Sequence, residues 1–178
     1  LEKTIGYRFK DRDLLDRSLT HISAIAGGSR ANSYQRLEFL GDHVLGLIIS
    51  DMLFRAFPKA DEGELSRRLA DLVRRESCAD VARAIELGAA LRLGASEANA
   101  GGRMRTAILA DVCEALVGAV YLDGGYDASA KLVELLRAKA ISDVRVILAP
   151  FSFHAGFNPE GRLFANKLAG GGILDVGC

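Results

Sequence analysis

The sequence Gln35-Arg-Leu-Glu-Phe-Leu-Gly-Asp-His-Val-Leu-Gly-Leu-Ile-Ile-Ser50 decides the fold. Its apolar residues recur every three or four positions, which predicts a long helix over about 34–57. Glu38 and Asp42 are four residues apart and therefore neighbours on one face of that helix. At about 100° per residue, the same face continues through large aliphatic residues, namely Leu45, Ile49 and Leu53. A solvated helix surface does not have this composition.

A second helix, predicted over about 106–122, repeats the arrangement. Asp111 and Glu114 are three residues apart and share a face that continues through Tyr121 and Leu122. Small residues on the same face, at Ala107 and Gly118, leave room for another helix or a ligand to come close. Each helix is therefore expected to direct a pair of like charges toward the interior.

The rest of the chain indicates an all-α domain followed by a tail. Helical periodicity predicts further helices over about 11–22, 64–74, 76–87 and 128–147, and no run of alternating strand residues is present. From about residue 148 the period is lost, and two of the three prolines and a run of three glycines occur. We therefore expect one domain over 1–147 and an irregular tail over 148–178.

The bulk composition excludes several classes of protein. Lys plus Arg and Asp plus Glu both number 23, so a general electrostatic attraction to nucleic acid is absent and any nucleic-acid binding needs local basic patches. The three cysteines, Cys78, Cys113 and Cys178, fit no metal-binding spacing, which favours reduced thiols in a cytoplasmic protein. No apolar run is long enough to cross a membrane, and no signal peptide is recognisable.

The two acid pairs have a chemical consequence. Partly buried carboxylates that crowd one another are costly, and protonation, a basic partner or a bound cation relieves the cost. No basic residue lies on either face near the acids. Oxygen ligands without His or Cys favour Mg²⁺, with Mn²⁺ as a substitute. The three histidines are not spaced with other ligands, so structural or surface roles are expected for His21, His43 and His154.

These residues resemble bacterial ribonuclease III. The motifs 35–42, Leu19-Thr-His-Ile-Ser23, Asp61-Glu-Gly-Glu-Leu-Ser66 and 108–118 occur in the order and spacing of that family, and the match covers about residues 3–140. The resemblance implies a homodimer of all-α nuclease domains that cuts double-stranded RNA lying between the subunits. It also implies Mg²⁺-dependent hydrolysis to 5′-phosphate and 3′-hydroxyl ends, in the processing of ribosomal and messenger RNA.

The resemblance also assigns roles to residues. The metal-binding acids of the family fall on Glu38, Asp42, Asp111 and Glu114, and the most direct part in hydrolysis is expected of Asp42 and Glu114. A turn acid, Glu62, falls on a position near the RNA or the partner's site. Gln35 falls on a position linked to RNA contact and cleavage-site choice, where the family usually has Glu. The separate RNA-binding domain of full-length members is not recognisable in the tail.

Two other functions stay open on the sequence. An all-α nucleotide pyrophosphohydrolase also uses helical acids and Mg²⁺, and a non-catalytic subunit for binding or assembly on double-stranded RNA would share the fold.

The sequence also offers candidates for contact with RNA phosphates. These are six arginines, at positions 67, 68, 74, 75, 103 and 105.

Overall fold

The computed structural model describes residues 1–25, 27 and 30–143. The helices are α1 (Glu2–Ile5), α2 (Arg12–Ser18), α3 (Gln35–Ala56), α4 (Glu62–Val73), α5 (Arg75–Ala84), α6 (Leu87–Ala90), α7 (Ala95–Asn99) and α8 (Thr106–Asp143). Single 3₁₀ turns occur at Ile22–Ala24, Arg30–Asn32 and Gly102–Met104. Within these residues there is no β-strand, only one isolated bridge between Thr20 and Arg92. The predicted all-α class is confirmed.

The core lies where α3 and α5 pack against α8. Ile48 of α3 and Val112, Leu116 and Val120 of α8 are completely shielded from solvent. Burial of each such aliphatic side chain contributes about 1.5–3 kcal/mol, so this packing fixes the relative position of the central helices. The thiols of Cys78 and Cys113 are free and buried in the same core, as predicted; Cys178 lies outside the described residues.

Several predicted helix ends are corrected by hydrogen bonds. The first predicted helix ends at Ser18 instead of continuing to about residue 22, because the backbone of the next residues pairs with Arg92 instead. Helix α4 begins at Glu62, two residues earlier than predicted. The reason is the Asp61 carboxylate, which accepts a hydrogen bond from the Glu64 amide at 2.7 Å and caps the helix. The bounds predicted for α3 are correct to within a residue.

The two predicted C-terminal helices belong to one element, α8, which continues through the expected gap. Its helical geometry is interrupted only at Gly125, where φ is 78° and ψ −171°, a conformation that favours glycine. The described part of α8 ends at residue 143, and the predicted tail over 148–178 lies outside the described residues. Among the described helices, none has the length and apolar character needed to span a membrane.

Candidate metal centre

The close crossing of α3 and α8 brings the two acid pairs together. A Cβ atom on Gly41 would fall on the backbone carbonyl oxygen of Glu114, and one on Gly118 would lie 3.0 Å from the amide nitrogen of Gly41. The two backbones touch here, so neither position tolerates a side chain. Glu38 and Asp42 lie within a turn of Gly41, and Glu114 lies one turn before Gly118. The crossing therefore sets the separation of the carboxylates.

Burial and mutual repulsion act on the acids. Glu114 is half-buried, and burial, followed by the charges of Asp42, Asp111 and Glu38, raises its pKa to about 7. Burial also raises the pKa of Glu38, and the charges of Asp111 and Asp42 add to that effect. In each pair, at least one acid therefore has its pKa raised by charges of the other pair across the helix crossing. All four predicted acids share one electrostatic environment.

Asp42 differs from the other three acids in its exposure. Its side chain is 56% exposed, which corrects the expectation that both acids of α3 are partly buried. Its Oδ2 lies 3.7 Å from the Nδ1 of His43. Asp42 therefore lies on the solvent side of the cluster and Glu114 on the protein side.

A basic residue near the cluster comes from a third helix. Burial raises the pKa values of Glu38 and Asp111, and the positive charge of Arg75, at the start of α5, offsets part of that rise. The sequence prediction concerned only the faces of α3 and α8, and Arg75 reaches the acids from a different helix. Within the described residues, no ion pair with Arg or Lys forms at Glu38, Asp111 or Glu114.

Helix α5 also supplies a thiol. Cys78 is only 3% exposed, and its thiol donates to the backbone carbonyl of Val73 at 3.8 Å. Burial, with the charges of Glu114 and Asp42, raises the pKa of this thiol to about 12, so it stays protonated beside Glu114. Sequence periodicity identified Cys78 only as a core thiol, because nothing in the spacing shows which face of α8 the residue meets.

Two further contacts to the cluster come from the segment before α3. The Tyr34 hydroxyl donates to Oδ2 of Asp111 at 3.4 Å. The His21 ring lies beside that of Tyr34, with centroids 5.7 Å apart, and reaches the cluster through it. The Leu19–Ser23 motif was recognised in the sequence, but it is too far from Asp111 along the chain for the sequence to show that the two are in contact through Tyr34.

The other two predicted site residues lie away from the cluster. Gln35 is exposed as the first residue of α3, and its backbone amide donates to Oγ of Ser33 at 3.4 Å. Glu62 is exposed at the start of α4 and accepts a hydrogen bond from Oγ of Ser66 at 2.9 Å. It lines a groove between α3 and α4. Within one protomer, Glu62 does not join the four acids.

The donor chemistry fits Mg²⁺ without a preformed cage. Among the described residues, no three His, Cys, Asp or Glu side chains already converge as metal ligands. Mg²⁺ keeps several of its waters and usually takes only one or two carboxylates together with phosphate oxygens. Three half-buried carboxylates without a bonded cation are a costly arrangement that a divalent ion relieves. The four acids can therefore hold such an ion between them.

The structure separates the six candidate arginines into two groups. Arg68 pairs with Glu64 and lies over the Phe57 ring, and Arg105 pairs with Glu97. Arg103 donates three hydrogen bonds to the carbonyls of residues 88, 89 and 91. No ion pair is formed within the described residues by the remaining three, Arg67, Arg74 and Arg75. These three are the ones free to meet phosphates.

One side of α3 is apolar and exposed. Phe39, Leu47 and Phe54 are 71%, 58% and 72% exposed. Leu47 and Phe54 line the groove between α3 and α4, which has a volume of about 660 Å³ and also contains Leu65 and Leu69. Contiguous apolar surface of this kind on a soluble domain marks an interaction surface. We refer to Phe39, Leu47, Phe54 and the groove as the α3 face.

An all-α domain with carboxylates at a crossing of its two longest helices is the architecture of one class of nuclease. Residues 11–139 match the ribonuclease-III-like family model, and the chain belongs to this family. It is 54% identical over 155 residues to Ribonuclease 3 of Rhodopseudomonas palustris, covering 83% of this chain and 57% of that one. It is 63% identical over 135 residues to Ribonuclease 3 of Azorhizobium caulinodans, covering 75% and 57%.

A solved structure gives the same result. The nuclease domain of ribonuclease III from Campylobacter jejuni superposes with a TM-score of 0.72 at 37% identity, covering 78% of this chain and 94% of that one. That structure is described as having a flexible region involved in dimer formation. The chain thus spans somewhat more than half the length of the curated relatives above, but nearly the whole of a nuclease domain.

Proposed function

We propose that this domain is a Mg²⁺-dependent endonuclease that hydrolyses double-stranded RNA to 5′-phosphate and 3′-hydroxyl ends. The observation that carries the proposal is the meeting of Glu38, Asp42, Asp111 and Glu114 at the Gly41–Gly118 crossing, in a chain of the ribonuclease III family. Mn²⁺ is the expected substitute ion. Precursors of ribosomal and messenger RNA are the proposed substrates, and the cytoplasm is the proposed place of action.

The four acids are proposed to have different roles according to their exposure. A bound divalent ion supplies a Lewis acid and an activated water. Asp42, on the solvent side, is the acid that an incoming phosphodiester meets first. Glu114, half-buried beside Cys78, would hold such an ion from the protein side. Glu38 and Asp111 complete the oxygen ligands. Asp42 and Glu114 are therefore the residues proposed to act most directly in hydrolysis.

RNA recognition is proposed to depend on phosphates. A-form RNA is recognised through its shape, phosphates and 2′-hydroxyls rather than its bases. Arg75 is exposed beside the acids and Arg74 precedes it, which suits contact with the strand being cut. Gln35, exposed at the start of α3, is proposed to contact RNA without the charge of the usual Glu.

A homodimer through the α3 face completes the proposal. The face is apolar, exposed and adjacent to the acids of the same helix, and a related nuclease domain has a region involved in dimer formation. Glu62 lines the groove of this face, so pairing of two copies would bring it toward the partner rather than its own cluster. This accounts for its distance from the four acids within one protomer.

Neither alternative function is favoured by an observation. The family match speaks against a nucleotide pyrophosphohydrolase, and the presence of all four acids speaks against a non-catalytic subunit. The test is incubation with labelled double-stranded RNA, double-stranded DNA and nucleoside triphosphates, each with Mg²⁺, Mn²⁺ or chelator. Cleavage of the RNA alone, abolished by chelator, is expected. Hydrolysis of the triphosphates, or no metal-dependent cleavage of any substrate, would contradict the proposal.

A further inference from the structure

We propose that Tyr34, held by the Leu19–Ser23 motif, is a positioning residue that orients Asp111 for the divalent ion. This inference rests on the proposed function, because it concerns one of the proposed metal ligands. It assigns a purpose to the Leu19–Ser23 motif, which contains none of the four acids. The motif lies more than 80 residues before Asp111 along the chain.

Tyr34 is fixed at both ends. The residue is 3% exposed, and its amide donates to the carbonyl of Thr20 at 2.9 Å. Its hydroxyl reaches Oδ2 of Asp111 at 3.4 Å. A tyrosine hydroxyl keeps its proton at neutral pH, and the Asp111 carboxylate can only accept, so Tyr34 is the donor. A donor held in this way restrains one carboxylate oxygen of Asp111.

The motif holds the Tyr34 ring from the side. The Nδ1 atom of His21 accepts from the amide of Ser23 at 3.2 Å and lies 2.7 Å from its Oγ. The hydroxyl of Ser23 in turn accepts from the amide of Gly94 at 2.9 Å, which leaves its own proton able to donate to Nδ1. The imidazole is thereby fixed against the Tyr34 ring, with 5.7 Å between centroids.

The backbone of the motif is tied to the loop before α7. The amide of His21 donates to the carbonyl of Arg92 at 3.0 Å, and the amide of Arg92 donates to the carbonyl of Leu19 at 2.8 Å. A Cβ on Gly94 would fall on the carbonyl oxygen of Ser23, so the two segments are in direct contact. These contacts hold the motif in place, and the motif in turn positions Tyr34 against Asp111.

The restraint matters because, among the described residues, the Tyr34 hydroxyl is the one hydrogen-bond partner of the Asp111 carboxylate. Its carboxylate is half-buried and forms no ion pair within the described residues. A hydrogen bond to Oδ2 leaves the lone pairs of the other carboxylate oxygen available to a cation. Loss of a partner that orients a metal ligand lowers metal affinity by about 10–100-fold. Because this bond is long, we expect about tenfold.

The test compares Tyr34→Phe with Tyr7→Phe. Both variants remove one hydroxyl that donates to an aspartate Oδ2, and the Tyr7 bond to Asp123, at 2.6 Å, is the shorter of the two. Mn²⁺ binding to the metal-free proteins is measured by titration calorimetry, and unfolding is measured in chelator. Initial rates of double-stranded RNA cleavage are measured across Mg²⁺ concentrations.

Tyr34→Phe is expected to weaken Mn²⁺ binding by about tenfold and to recover near wild-type kcat at high Mg²⁺. Tyr7→Phe is expected to bind Mn²⁺ as the wild type does, whatever stability it loses. Wild-type affinity in Tyr34→Phe, or an equal loss in Tyr7→Phe, would overturn the positioning role alone. A wild-type protein that binds no Mn²⁺ would overturn the proposed function as well.

A second variant covers the case in which Tyr34→Phe fails to fold. Ser23→Ala removes the hydroxyl that joins His21 to Gly94 but leaves the Tyr34 hydroxyl in place. Mn²⁺ affinity is expected to fall in this variant too, by less than in Tyr34→Phe. With Tyr34→Phe unfolded, unchanged affinity in Ser23→Ala would overturn the inference.

Discussion

Gly41 of α3 and Gly118 of α8 are in backbone contact, and a Cβ on Gly118 would lie 3.2 Å from the α-carbon of Gly41. The geometry of the candidate metal centre is thus set by two helix backbones rather than by flexible side chains. Because Glu38 and Asp42 are anchored beside one glycine and Glu114 beside the other, any displacement at the crossing separates the two acid pairs.

Substituting Gly41 by alanine should therefore damage both stability and the site. The new Cβ would fall on the Glu114 carbonyl oxygen, so the helices must move apart, at a cost of about 1–3 kcal/mol or more. Gly46→Ala is the control on the same helix, because nothing lies within 4 Å of its Cβ. That change should be neutral or stabilise by up to about 1 kcal/mol, since alanine is the better helix former. Denaturant unfolding and Mn²⁺ titration measure both variants, and equal behaviour would contradict the crossing argument.

The stability of the metal-free protein should fall as the pH rises from about 5 to about 7. The pKa of Glu114 is raised from 4.5 to about 7 in the folded chain, so the folded state holds a proton that the unfolded state has released. Whenever the folded state binds more protons, stability falls with rising pH. The raised pKa values of Glu38 and Asp111 act in the same direction.

Thermal unfolding in chelator across this pH range checks the prediction. Glu114→Gln carries no titrating group at this position and should flatten the pH dependence. Mg²⁺ should restore most stability at the high-pH end, because the deprotonated acids are the form that binds it. A wild-type protein in chelator whose stability rises from pH 5 to 7 would contradict the raised pKa values.

Much of this fold was predictable because the central helices are long and periodic. The bounds of α3, the acid pairs and the close approach at Gly118 all follow from residue spacing along single helices. The short helices α1, α6 and α7, of four or five residues, carry too few positions for a period and were missed. The early end of α2 was missed because a contact to a residue more than 70 positions away decides it.

The site was predictable only in the part that lies on α3 and α8. Cys78 and Arg75 reach the acids from α5, and Tyr34 reaches Asp111 from the segment before α3. Spacing along one helix says nothing about which residues other helices bring to its face. The exposure of Asp42 was missed for a related reason, because a helical face shared with aliphatic residues extends beyond the edge of the core.

Substitution of Arg75 and substitution of Arg103 are expected to have different effects on stability and on RNA binding. Arg75→Gln should leave stability unchanged and reduce the salt dependence of RNA binding by about one phosphate contact, because its charge is exposed beside the acids. Arg103→Gln should lower stability without changing the salt dependence, because its guanidinium is occupied by three backbone carbonyls. Binding titrations over a range of salt, with unfolding in parallel, separate the two. The reverse pattern would show that the phosphate contacts are assigned to the wrong arginines.

The α3 face should control assembly. Phe54→Glu places a charge on an apolar, 72% exposed position that lines the groove, and it should shift a dimer toward monomer. Leu122→Glu is the matched control, since Leu122 is 54% exposed but does not line the groove. Sedimentation at several concentrations measures both. A wild-type monomer, or dissociation caused equally by the control, would argue against this surface.

The central claim is that the acids at the helix crossing hold the metal ion that cuts RNA. The most direct test is the rate of Mg²⁺-dependent cleavage of labelled double-stranded RNA by Glu114→Gln, beside Glu134→Gln at an exposed position of the same helix. Because losing an outer partner of a ligand costs about 10–100-fold, losing the ligand Glu114 should slow cleavage by at least about 100-fold. Glu134→Gln should cleave at the wild-type rate. Cleavage by Glu114→Gln at the wild-type rate would contradict the account.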